Sequence, residues 1–161
     1  MFVINSFSKY FLMTGWRLGW LRAPAWALAD LERLAQNLFL AAPTPAQHAA
    51  LAAFAATTLA ELEARKAELR DRRDYLLPEL RERGFIIPTQ PQGAFYLYAD
   101  CSAHTGDSFR FAQNLLEQAG VAVTPGLDFG EQGPHRYLRI AYTQPLPRLV
   151  EAIARLDRFL A

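Results

Sequence analysis

The sequence holds one cysteine, Cys101, in 161 residues. It can form no internal disulfide, and a reducing, cytoplasmic setting is expected. An excess of charge is also missing: 17 Lys and Arg against 16 Asp and Glu leave a formal net charge of +1. Nothing electrostatic therefore favours a nucleic acid or an acidic membrane as partner. No basic stretch precedes the apolar run Phe2-Val3-Ile4 and no small-residue cleavage site follows it, so no signal peptide is predicted there. Residues 34–60 lack charge altogether, but Pro43, Pro45, Gln36, Asn37, Gln47 and His48 interrupt them. That composition makes a poor bilayer span and predicts buried helices or a subunit contact instead. Lysine is scarce as well, with only Lys9 and Lys66.

What is present suffices for a folded core: 52% of residues are hydrophobic and 20% charged. Residues 2–4 and 16–21 read as short strands, the second ended by Pro24. Residues 25–38 read as a helix, with Leu28, Leu31, Leu34 and Leu38 at helical spacing. Thr44 is the expected N-cap of a long helical stretch reaching residue 83, divided near Thr57-Thr58 and ended by Gly84. Glu61 and Arg65 mark its solvated face. The period then changes. Strands are predicted at 85–87, 93–98, 121–123 and 137–142, and helices at 108–119 and 146–160. Phe95, Tyr96 and Tyr98 alternate as a strand would, with core packing as their default role and substrate lining as the alternative. The expected class is α/β, with an α+β second half of helices packed on a short, mainly antiparallel sheet.

Lys9 follows Ser6 and Ser8, and Arg17 lies between Gly15 and Gly19. A lysine at the end of a buried strand would have a lowered pKa, and its amine could join an aldehyde. A guanidinium and hydroxyls suit a phosphate. A phosphate-bearing aldehyde held by these groups describes pyridoxal phosphate. Solvated side chains following a strand are the other reading of the same residues. Cys101 and His104, with His48 and His135 remote, offer too few ligands for a metal.

Ser6-Phe7-Ser8-Lys9 followed by Met13-Thr14-Gly15-Trp16-Arg17-Leu18-Gly19-Trp20 resembles the cofactor-lysine motif of class I pyridoxal-phosphate-dependent aminotransferases. Pro125-Gly126, Phe129-Gly130, Gly133 and Tyr137-Leu138-Arg139-Ile140 resemble that family's C-terminal signature. Gly93-Ala94-Phe95-Tyr96 resembles its small-domain strand. The resemblance implies the C-terminal part of a fold type I aminotransferase. Residues 1–60 would be a remnant of the large cofactor-binding domain and 61–161 the small domain. It further implies Lys9 as the Schiff-base lysine and proton carrier. Ser6, Ser8 and Arg17 would bind the cofactor phosphate, and Arg139 the substrate carboxylate. An amino acid and a 2-oxo acid would be the substrates, and a homodimer the assembly. The aspartate that pairs with the pyridinium nitrogen has no candidate before Lys9. Little turnover is therefore expected of these residues alone, and a non-catalytic domain that folds or associates is the alternative. An apolar patch within residues 1–60 would drive self-association.

Overall fold

The computed structural model describes all residues, Met1–Ala161. Its elements in chain order are β1 (Val3–Ser6), β2 (Gly19–Arg22), α1 (Ala25–Leu38), α2 (Thr44–Ala53), α3 (Ala56–Glu82), β3 (Tyr96–Asp100), α4 (Ser108–Ala119), β4 (Thr124–Pro125), β5 (Tyr137–Ala141) and α5 (Leu146–Leu160). They divide into two compact units, Met1–Arg65 and Lys66–Ala161. The change of unit falls inside α3, as does the boundary expected after residue 60. No helix is long and apolar enough to cross a membrane.

In the first unit β1 and β2 form an antiparallel hairpin with Val3 opposite Arg22 and Ser6 opposite Gly19. Gly19 is required by proximity: a Cβ there would lie 2.8 Å from the Asn5 carbonyl oxygen. Helix α2 buries Ala46, Ala50 and Ala53 at helical spacing, and these small side chains pack with Phe7, Met13 and Leu18. The loop between the two strands is thereby seated on an alanine face. Pro43, rather than Thr44, occupies the cap of α2, and no side chain caps it. The helical stretch divides at Phe54-Ala55, before Thr57, where Ala55 N–H bonds back to the Ala52 carbonyl at 3.1 Å. The leucine face expected of α1 is not buried. Its buried residue is Ala27, while Leu28, Leu34 and Leu38 are exposed.

In the second unit β3, β5 and β4 form an antiparallel sheet in that order. Leu97, Ala99 and Leu138 point from one face into a core shared with Leu76, Leu80, Phe111, Leu115, Ile153 and Leu156. Helices α3, α4 and α5 supply those partners, which makes the expected two layers. The strand predicted at 85–87 shrinks to one bridge, Ile86 to Asp100. Pro88 follows at once and has no N–H to extend a ladder. The strand predicted from Gly93 begins only at Tyr96, after Ala94 turns with φ 58°. The strand predicted at 121–123 lies instead at Thr124–Pro125, where β5 offers pairing. The ion pairs along α3 and just past its end include Arg72–Glu68, Arg73–Asp74 and Arg83–Glu79 rather than Glu61–Arg65. Cys101 is fully buried, and burial pushes its thiol up to about 11, so it acts as a small apolar residue.

Candidate functional site

Residues 7–18 close the β1–β2 hairpin, and short local bonds hold them. Phe7 N–H donates to the Leu18 carbonyl at 3.0 Å, Met13 N–H to Phe7 at 3.2 Å and Leu12 N–H to Lys9 at 3.1 Å. The Phe7 and Phe11 rings meet at 4.9 Å and both contact Phe54. Buried Phe7, Met13 and Leu18 hold the loop from inside, and its polar residues face outward.

Those polar residues form one chain of bonds. Ser6 Oγ donates to Ser8 Oγ at 2.9 Å and accepts the Ser8 backbone N–H at 3.0 Å. Thr14 Oγ1 donates to the Ser8 carbonyl at 2.7 Å, and Arg17 Nη1 to the Thr14 carbonyl at 2.9 Å. Ser6, Ser8 and Arg17 are thus brought together through Thr14, a residue without an expected role although it lies inside the motif. Lys9 sits on the same loop and is exposed, not buried as the strand-end reading expects, because β1 itself is largely exposed. Tyr10 also escapes sequence reasoning: its hydroxyl donates to Glu63 Oε1 at 2.6 Å and ties the loop to α3.

Arg139 stands in the second unit, on β5 opposite Tyr98 of β3 and Thr124 of β4. Its guanidinium carbon lies over the rings of Tyr96 at 4.8 Å and Phe129 at 4.5 Å. Its Nη2 donates to Thr124 Oγ1 at 3.3 Å. Tyr96 and Tyr98 therefore do not pack in the core; they share the sheet face that carries Arg139, opposite Leu97 and Ala99. Tyr98 stacks on Tyr137 at 4.8 Å and meets the edge of Phe129 at 6.3 Å. The 125–134 loop is the turn that delivers Phe129 to this face. Thr124 and Phe129 were not legible as neighbours of Arg139, since strand pairing and loop shape bring them there. No three His, Cys, Asp or Glu side chains come together as a metal site would need.

Chemically, the first loop offers hydroxyl and guanidinium donors beside a primary amine. The second unit offers a single guanidinium bedded in aromatic rings, a group suited to a carboxylate.

The family model described as aminotransferase class I and II matches residues 1–156. The chain is 39% identical to a valine–pyruvate aminotransferase of Mycobacterium tuberculosis, over 98% of this chain and 41% of that protein. It is 36% identical to a (5-formylfuran-3-yl)methyl phosphate transaminase of Methanocaldococcus jannaschii, with the same coverage of 98% and 41%. Among solved structures, an aminotransferase from Mycobacterium tuberculosis superposes with a TM-score of 0.93 at 40% identity, over 99% of this chain and 41% of that one. An aromatic aminotransferase from Pyrococcus horikoshii gives a TM-score of 0.89 at 34% identity, over 99% and 42%. The chain thus spans about two fifths of the length of these relatives. Over that span it has their fold, and it belongs to the class I and II aminotransferases.

Proposed function

We propose that these residues are the part of a pyridoxal-phosphate-dependent aminotransferase that carries the cofactor lysine and the substrate-carboxylate arginine. The reaction would move an amino group between an α-amino acid and a 2-oxo acid. The observation that carries this reading is the folded 6–17 loop, in which Ser6, Ser8, Thr14 and Arg17 form one bonded chain beside Lys9. A phosphate needs O–H and N–H donors, and the hydroxyls of Ser6 and Ser8 with the Arg17 guanidinium are such a set. The donor chemistry therefore fits the group. When bound, pyridoxal phosphate supplies an electron sink for negative charge at the substrate α-carbon. Lys9 would hold the cofactor through its amine, and the same amine, once free of the cofactor, would move the proton at the substrate α-carbon. Arg139 binds the α-carboxylate and so fixes which bond at that carbon is presented. Arg139 meets only the carboxylate that all α-amino acids and 2-oxo acids share, so the substrate is named as a class.

A two-fold pair of chains is the proposed assembly, in a reducing cytoplasm. The second reading, a domain that folds or associates without turnover, is favoured for these residues alone because they span 41% of the matched relatives.

Borohydride reduction in the presence of pyridoxal phosphate, followed by peptide mapping, tests the lysine. The label is expected on the peptide holding Lys9; label mainly on Lys66 overturns the assignment. The same preparation is expected to transaminate common amino acids far below ordinary rates of about 1–1000 per second. Rates in that range would refute the second reading.

A further inference from the structure

We infer that Thr124, Tyr96 and Phe129 are positioning residues for the Arg139 guanidinium, together setting the plane and edge that it presents to a carboxylate. The inference rests on the reading of Arg139 as the carboxylate-binding group and adds what makes it competent.

An arginine side chain has enough rotamer freedom that a bidentate pair forms weakly unless the fork is held beforehand. Here three contacts hold it. Tyr96 on β3 and Phe129 after the 126–128 turn each carry the guanidinium carbon over the ring, at 4.8 and 4.5 Å. Rings so placed attract the cation and keep water from its faces, and they leave its in-plane N–H groups for hydrogen bonds. Thr124 Oγ1 takes one of them, from Nη2 at 3.3 Å. A guanidinium has five N–H donors, so this bond pins rotation and leaves others for a bidentate carboxylate.

The support is itself supported. Phe129 meets Tyr98 at 6.3 Å, and Tyr98 stacks on Tyr137 at 4.8 Å with the planes 13° apart. Thr124 is fixed by pairing with Arg139 across the β4–β5 ladder. The other arginine near this face, Arg136, lies over the Tyr137 ring at 5.8 Å, but its charge is paired with Asp100. Arg139 is therefore the cation that the aromatic face presents.

Nitrogen NMR of the Arg139 side chain in the 161-residue chain tests this, with sodium pyruvate as carboxylate probe. In the parent, the Arg139 Nε–H resonance should be sharp and ring-shifted, and should move on adding pyruvate. In Phe129→Leu and Tyr96→Leu it should lose the ring shift and become mobile. In Thr124→Val it should become mobile while keeping the shift. Apparent pyruvate affinity should fall about 3- to 30-fold in each, and Thr124→Ser should restore it. Thr124→Val conserves shape, so it decides the matter if a ring substitution disturbs folding. Unchanged Arg139 mobility and pyruvate affinity in all three variants would overturn the inference while leaving the carboxylate assignment standing. Pyruvate binding retained at parental strength in Arg139→Lys, or no pyruvate-induced shift at Arg139 in the parent, would instead overturn the assignment on which it rests. The mobility readout without pyruvate keeps the two failures apart.

Discussion

Arg17 holds a left-handed backbone, φ 51°, and Leu12 in the same loop has φ 56°. A non-glycine residue in that region costs on the order of 1 kcal/mol, and such strain persists only where surrounding contacts impose it. The buried anchors Phe7, Met13 and Leu18 are those contacts. Strain at two positions of the loop that carries Lys9 agrees with a site built for geometry before stability. A second residue with consequences is Asp100, almost fully buried and paired with the Arg136 guanidinium. Burial pushes its carboxyl up, but hydrogen bonds from Ser102 and the Arg136 charge outweigh that and hold it below the usual range. A carboxylate lowered on folding adds stability that is complete above its unfolded value of about 3.9 and is lost as pH falls through the folded one. Asp157, hydrogen-bonded by Arg83, and Glu151, hydrogen-bonded by Arg155, are lowered in the same sense. The second unit should therefore lose stability in acid below about pH 4. In Asp100→Asn, denaturant titrations from pH 5 to 2 (about one carboxylate's titration range) should show a shallower fall; an unchanged slope rejects the role. Ser6, Ser8, Lys9 and Arg17 were readable as a group because the loop joining them is local. Thr124, Tyr96 and Phe129 were not, because their meeting with Arg139 depends on strand register.

Three helices fall at the residues expected of them: α1 at 25–38, α4 at 108–119 and α5 at 146–160. Asp107 caps α4 by accepting the N–H groups of Phe109 and Arg110, each at 3.1 Å. Punctuation of this kind is written beside the helix it bounds. Strand ends are written elsewhere, in the partner. The segment expected at 121–123 pairs only from Thr124, and that at 85–87 keeps one bridge, so both predictions drifted. Between β4 and β5 the turn depends on Gly126, where a Cβ would lie 2.5 Å from the Pro134 carbonyl oxygen and 2.9 Å from both Cβ and O of Tyr137. Backbone atoms cannot yield as a flexible side chain can. Gly126→Ala is expected to cost about 1–3 kcal/mol in urea unfolding and to weaken the Phe129 contact with Arg139. Gly93→Ala is the control, since nothing lies within 4 Å of its Cβ; its change should stay within about 0.5 kcal/mol. Equal effects at the two sites would remove the argument for close approach.

At the scale of the molecule, exposed apolar area is unevenly shared. In Met1–Arg65, Trp26 is 77% exposed, Leu38 75% and Leu40 81%, and Phe2, Ile4 and Phe39 are exposed with them. Lys66–Ala161 has one large core, and fewer of its apolar side chains are exposed, Ile86, Phe109 and Leu116 among them. Of the residues expected to form the apolar patch, Phe2, Ile4, Leu12, Trp16, Trp20, Leu38, Phe39 and Leu40 are exposed, and Val3 and Phe11 are half-buried. Its legibility came from composition, whereas the failure of the α1 leucines to be buried could not be read from their spacing, which is the same for a buried and an exposed apolar face. Surface of this kind promotes association. Light scattering over a dilution series should give a mass above that of one chain, and Trp26→Glu with Leu38→Glu should lower it towards 18.1 kDa. A monodisperse single chain with hydrogen-exchange protection throughout 1–60 would contradict self-association through this unit. Helix α3 has a bearing on how such a molecule could be taken apart. It runs from Ala56 to Glu82, past Arg65 where the first unit ends, and contains Pro78, which gives no N–H to the helical ladder. By its rise it is a rod of about 40 Å. Around Arg65 the backbone N–H and C=O groups are committed to helical bonds, so cleavage or insertion there must first break them. Severing it would strand four N–H groups on one side and four carbonyls on the other. A cut at Arg65 therefore divides one helix and leaves a new frayed end on each piece.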